Sequence, residues 1–223
     1  MKLKYLVAAA ATLASTQAFA ELTGNVSAVS EYMFRGISQG EGAAVQGGVD
    51  YKHDSGLYVG AWGSNVDWGA GDTEVDLYGG YANTFGDSGL GYDLGAIFYW
   101  YPEAGEETSS DPNTVEYYLN LSYSYFSAGV AYTDDYYDTD EAFYYNLAAT
   151  LPVTDSIALA LSAGLSDGDG IKETFGEDNY MDYSVVLSKA VTDAFSVSFS
   201  FVQTDLDEDD AKFLIGAAYT FDM

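Results

Sequence analysis

Eight charged side chains fall where strand alternation turns them to the same face of their segments: Glu31, Arg35, Asp50, Lys52, Glu74, Asp76, Asp93 and Glu116. Six of these are acids. A ring of carboxylates on a confined wall concentrates cations and favours their passage. The competing reading is an internal ion-pair network in which Arg35 and Lys52 bridge neighbouring acids and the interior is closed.

Other candidate chemistry is weaker. His53 is the only histidine, and it stands beside a short turn, His53-Asp54-Ser55-Gly56. A nucleophile–histidine pair needs a third group to orient the ring, and the sequence offers no such constellation. Asp167-Gly168-Asp169-Gly170 opens like a calcium loop, but Ile171 occupies the next ligand position. Asp205 to Asp210 alternates acids but carries Asp210 where the tight-turn glycine belongs. Both read as solvated, self-repelling loops. No catalytic residue, metal site or cofactor is expected, and the chain does not read as an enzyme.

The elements that would hold the eight charges are strands. Phe213, Ile215, Ala217, Tyr219 and Phe221 alternate with mostly smaller or polar residues. Phe195, Val197, Phe199 and Phe201 alternate with serines. Tyr92, Leu94, Ala96, Phe98 and Trp100 form another apolar face, and so do Val115, Tyr117, Leu119, Leu121 and Tyr123. Segments of about ten residues with this period, ending on aromatics, fit a transmembrane β-barrel. Short connections (53–56, 85–89, 125–126, 152–156, 190–194) alternate with long ones (37–42, 67–72, 102–113, 134–140, 167–179, 205–211). That rhythm predicts a closed antiparallel up-and-down barrel of about twelve strands, all-β, with both termini on the short-turn side. Leu57 to Val66 has apolar residues on both faces; a bulge or glycine-rich close packing against the preceding strand would explain it. Val153-Thr154-Asp155-Ser156-Ile157 echoes Val191-Thr192-Asp193-Ala194-Phe195, which reads as shared turn chemistry with Asp bonding its own backbone.

Residues 1–20 read as a cleaved export signal. Lys2 and Lys4 precede a short apolar run, and Ala18-Phe19-Ala20 is a small-x-small cleavage site. The single barrel domain then occupies residues 21–223. The chain has 7 Lys+Arg against 35 Asp+Glu, and losing Lys2 and Lys4 takes the formal net charge from −28 to −30. This excludes nucleic acid as a partner, which requires basic surface. There is no Cys, hence no disulfide, thiolate site or lipid-modified cysteine. After the leader no apolar run approaches the length of about eighteen that a membrane helix needs.

Ser30-Glu31-Tyr32-Met33-Phe34-Arg35-Gly36-Ile37-Ser38-Gln39, then Ala44 to Tyr51, then Ser55 to Asp67, resemble the TorF family of porin-like outer-membrane proteins. The likeness is strongest over residues 26–82. It implies a bacterial outer-membrane barrel that acts as a pore. Together with the inward acids, the leading expectation is a monomeric, narrow diffusion channel with some cation preference, with membrane lipids, the barrel-assembly machinery and small hydrophilic solutes or ions as partners. The resemblance supplies no site residues. The alternative is a non-conducting barrel with ion-binding acidic loops. The chain departs from the usual aromatic ending: Asp222 and Met223 follow Phe221, although Met223 keeps the apolar phase.

Overall fold

Successive side chains of a strand point to opposite faces, so a sheet that buries polar groups on one side must show apolar groups on the other. In this chain the sheet resolves that conflict by closing on itself. The computed structural model describes residues 21–67, 71–103, 111–207 and 210–223. The expected leader, residues 1–20, lies outside them, as do parts of the connections expected at 67–72, 102–113 and 205–211.

The elements are β1 (Glu21–Val29), β2 (Met33–Phe34), β3 (Ile37–Ser38), β4 (Ala44–Lys52), β5 (Leu57–Asn65), β6 (Thr73–Thr84), β7 (Leu90–Trp100) and β8 (Thr114–Tyr123). They continue with β9 (Phe126–Thr133), β10 (Ala142–Pro152), β11 (Ile157–Asp167), α1 (Asp169–Phe175), β12 (Asn179–Ala190), β13 (Phe195–Thr204) and β14 (Lys212–Asp222). Twelve strands form one closed antiparallel barrel, each paired with its neighbour in sequence, and β1 closes on β14 from Thr23↔Asp222 to Val29↔Gly216. Met223 N donates to Leu22 O at 3.0 Å, so the unusual C-terminus still extends the closing ladder. The expected strand count holds.

The first long connection departs from expectation. β1 ends at Val29, and residues 30–43 form a loop that contains a small hairpin, β2–β3, outside the barrel ladder. Strand alternation places Glu31 and Arg35 on strand phase, and the expected connection begins at residue 37, but the chain leaves the barrel ladder at Val29. Arg35 and Gly36, at φ 48° and 84°, make the hairpin's two-residue turn. That geometry has positive φ at both central positions, the primed type that matches strand twist.

The outer surface is apolar from end to end. Val45, Leu147, Phe213 and Ile215 are each more than 60% exposed. Among the described residues, charges on outward strand positions occur only at strand ends, such as Lys189 and Asp167. Aromatic rings collect in two bands. Tyr132 and Phe143 (4.8 Å) and Phe201 and Phe213 (5.4 Å) mark the long-loop end; Tyr81 and Tyr92 (6.0 Å), Phe85 and Tyr92 (4.4 Å) and Tyr219 and Phe221 (6.2 Å) mark the end bearing the termini.

The doubtful segment 57–66 pairs regularly with β4 and β6 and carries no bulge. Its outward face is Leu57, Val59 and Ala61; its inward face is Tyr58, Gly60, Trp62 and Ser64. Both faces are apolar because the inner one packs on the hairpin, with Trp62 edge-on to Tyr32 at 5.5 Å. Glycine packing occurs against β6 as well as against β4, where Trp62 faces Gly48, but it is the hairpin contact that makes the inner face apolar. Tyr58 stands opposite Gly80, Tyr78 opposite Gly60 and Tyr118 opposite Gly95, and each ring covers its glycine. A Cβ at Gly80 would lie 2.5 Å from both Leu94 O and the Tyr58 hydroxyl.

The repeated turns are alike: Val153 N and Thr154 N donate to Ile157 O, as Val191 N and Thr192 N do to Phe195 O. The side chain that fixes them is Thr, not Asp. Thr154 Oγ1 accepts from Ile157 N at 3.0 Å, and Thr192 Oγ1 from Phe195 N at 2.9 Å.

Gly80→Val should lower barrel stability by about 1–3 kcal/mol through overpacking. Urea titration of the heat-modifiable folded band measures this. An unchanged midpoint would show that the tyrosine-over-glycine pairs carry no packing.

Candidate inner-wall site

Closure turns the polar face of every strand inward, and the acids arrive there in two tiers. The tier near the long loops comes from β6, β8 and β12. Glu74 is 2% exposed, and Asp76, Glu116 and Asp182 are each 5–6% exposed. A carboxylate this deeply buried needs donors, and tyrosines supply most of them. Tyr32 and Tyr101 donate to the two oxygens of Glu74 at 2.9 and 2.6 Å. Tyr99 donates to Glu116 Oε1 at 3.4 Å, and Tyr144 to Asp182 Oδ1 at 3.4 Å. One oxygen each of Asp76 and Asp182 has no partner.

Arg35 reaches this tier from the hairpin rather than from a strand. Its Nη2 stands 2.5 Å from Glu116 Oε2, with both side chains under 10% exposed. The guanidinium carbon lies 4.7 Å from the Phe34 ring centre and 4.2 Å from that of Tyr144. The hairpin touches β5 and β6 through Tyr32, β7 through Phe34 on Tyr99 (5.7 Å), and β8 through Arg35. On the other side Tyr180 of β12 donates to Arg35 O at 3.2 Å, and Gly36 is wedged against Asp182 and Thr204 of β13. It therefore spans the interior at this level. Tyr136, Ile171 and Tyr180 pack beside it with Ile37, and Val66, Tyr99 and Tyr101 with Tyr32 and Phe34.

The second tier is nearer the termini. Tyr58 donates to Asp93 Oδ1 at 2.7 Å and shares a short hydrogen bond with the Tyr118 hydroxyl. Tyr78 donates to Asp50 Oδ1 at 2.5 Å. Lys52 is the cross-strand partner of Tyr58. The opposite wall differs: Ser162, Ser184, Ser198, Ser200, Gly216 and Ala218 face inward there, and Ser162 and Ser184 bond each other at 2.7 Å.

Of the eight residues expected, Glu74, Asp76, Glu116 and Arg35 meet in one cluster, and Asp50, Asp93 and Lys52 share the other. Glu31 stands at the rim, 3.0 Å from Lys212. Partial burial pushes its carboxyl up, but the Ser38 hydrogen bond and the Lys212 ammonium outweigh this and hold it below the ordinary value. The sequence reading missed Asp182 and the tyrosines. Asp182 was legible, since Met181, Tyr183, Val185 and Leu187 alternate around it; the tyrosines were not, because they occur on both faces.

His53 lies in an exposed turn, bonded to Ser55 at 2.9 Å, at the end opposite the buried tier. Asp169 opens α1 instead of continuing a calcium-type loop. Among the described residues no group of three or more His, Asp or Glu side chains is placed to hold a metal ion.

A family profile described as "Bacterial protein of unknown function (Gcw_chp)" matches residues 13–221. The chain belongs to that family. The finding does not bear out the narrower TorF resemblance. Among curated proteins no sequence relative matches. Among the solved structures that share the chain's architecture are three outer-membrane proteins. The NanC porin is 12% identical with a TM-score of 0.58, covering 89% of this chain and 98% of that one. The KdgM porin is 10% identical at 0.59, covering 89% and 99%. The COG4313 outer membrane channel from Pseudomonas putida F1 is 12% identical at 0.57, covering 98% and 100%. At such identity the likeness establishes the twelve-stranded barrel alone.

Glu116→Ala strands Arg35 in the interior and should cost about 3–5 kcal/mol, the usual penalty for halving a buried pair. Asp178→Ala, which breaks the exposed Lys172–Asp178 pair, should leave the unfolding midpoint unchanged. Equal effects of the two would contradict the account of the cluster.

Proposed function

We propose that this protein is a bacterial outer-membrane barrel that passes small hydrophilic solutes, with a preference for cations. The observation that carries the reading is the division of polarity across the wall. Charged and hydrogen-bonding side chains point inward, while the outer belt is apolar and banded by aromatics. A charge facing lipid at mid-membrane costs about 2–4 kcal/mol for a basic residue, so this sorting suits a bilayer. Toward the termini the inward positions of β11–β14 are mostly small (Ser162, Ser184, Ser198, Ser200, Gly216 and Ala218), while Asp50 and Asp93 line the opposite wall. Similarity to structures described as porins and as an outer membrane channel supports the reading at the level of architecture. The export signal expected at residues 1–20 is part of the same proposal.

A second reading is favoured by one observation: the β2–β3 hairpin and the tyrosines around it occupy the interior near the long loops. On that reading the barrel is closed and its acidic loops do the work.

Planar-bilayer recording of purified, refolded protein separates the two. The channel reading expects single-channel steps and a cation-selective reversal potential in a salt gradient. Replacing Glu74, Asp76 and Glu116 together with Gln should reduce that selectivity. Absence of steps would overturn the channel; anion selectivity would overturn the role of the acids.

A further inference from the structure

The hairpin turn is held by an arrangement that resembles ligand recognition more than loop packing. Arg35 is the one non-glycine residue at the turn, at the positive φ that a primed two-residue hairpin requires. What surrounds its guanidinium is a carboxylate, Glu116, and two ring faces, Phe34 and Tyr144. A planar, delocalised cation bonded to a carboxylate and stacked on aromatic faces is the signature of guanidinium recognition; a compact ammonium has no such fit.

Only Phe34 among these partners travels with the hairpin. Glu116 on β8, Tyr144 on β10 and Asp182 on β12 are fixed in the barrel wall and remain when the hairpin is lifted. The wall also carries acceptor oxygens that Arg35 does not answer. Asp182 Oδ2 and Asp76 Oδ1 are buried without a hydrogen-bond partner. Among the described residues Glu116 is the only acid of this tier in an ion pair. The seat is built, and its present occupant is tethered.

We infer that the wall formed by Glu116, Tyr144 and Asp182 is a binding site for solutes bearing a guanidinium group, and that Arg35 is a built-in competitor which such a solute displaces. The inference rests on the reading of the barrel as solute-passing and extends it to a solute class. The hairpin is then a plug released by the cargo it resembles. A solute must match Arg35 in charge and plane to gain the site. An anion or a neutral solute gains nothing from the exchange.

Calorimetric titration of the refolded full chain with methylguanidinium tests this without recording any current. A tethered competitor lowers apparent affinity by the fraction of time the site is free. Arg35→Ala should therefore bind methylguanidinium at least about tenfold more tightly than the parent chain. Adding Glu116→Gln to that variant should abolish the gain. Equal affinities in folded parent and Arg35→Ala protein would overturn the inference.

A second measurement keeps Arg35 in place. The chain has no cysteine, so Ile37→Cys, whose side chain packs among Tyr136, Ile171 and Tyr180, reports hairpin release by its rate of maleimide labelling. Methylguanidinium chloride should raise that rate, and sodium chloride at equal strength should not. An unchanged rate would overturn the inference even if the protein conducts. Missing conductance with both binding results intact would remove the channel reading and leave the site.

Discussion

The pairing of β1 with β14 is the constraint on which the rest depends. An open sheet of this length would present two edges of unpaired N–H and C=O groups, which an apolar environment does not tolerate. Once the edge is closed, each strand has one face inside and one outside, and residue polarity sorts itself accordingly. The apolar positions of Val26, Leu77, Leu147 and Ile215 form a continuous outer belt, and the acids have nowhere to go but in.

The interior of twelve strands is too wide for their own side chains to fill. The structure uses two devices against that space. Over β5–β8, tyrosines lie on the glycines of neighbouring strands, which draws the wall together and brings hydroxyls to Asp50 and Asp93. Near the long loops the β2–β3 hairpin enters and brings Arg35 to Glu116. Both devices serve the same electrostatic need, because buried carboxylates are stable only with donors or counter-charges. Packing and charge compensation are therefore one arrangement here.

The sequence disclosed the barrel well and its contents poorly, for physical reasons. Strand number and facing were legible because closure sets apolar residues outside and mostly polar ones inside, a period of two along each strand. β5 stayed ambiguous because its inner face contacts the apolar hairpin, which erases the contrast between faces. The hairpin itself was hidden: Met33, Phe34 and Ile37 satisfy an inward-packing loop and a strand equally well. Asp50, Lys52, Glu74, Asp76, Asp93 and Glu116 lie on inward positions of barrel strands, but Glu31 and Arg35 lie in the first long connection instead, and the pairing of Arg35 with Glu116, 81 residues apart, follows only from closure. The tyrosine–glycine pairs depend on register between strands, which alternation does not specify.

The central claim is that apolar faces meet lipid while acids face the interior. Spin-label accessibility along β12, in protein reconstituted into lipid, tests it most directly. The absence of cysteine in the chain allows one label at a time. Oxygen, which partitions into lipid, should reach labels at Tyr183, Val185 and Leu187 and be low at Asp182, Ser184 and Val186, giving a two-residue period. Loss of that period, or maxima at the second set, would contradict the account.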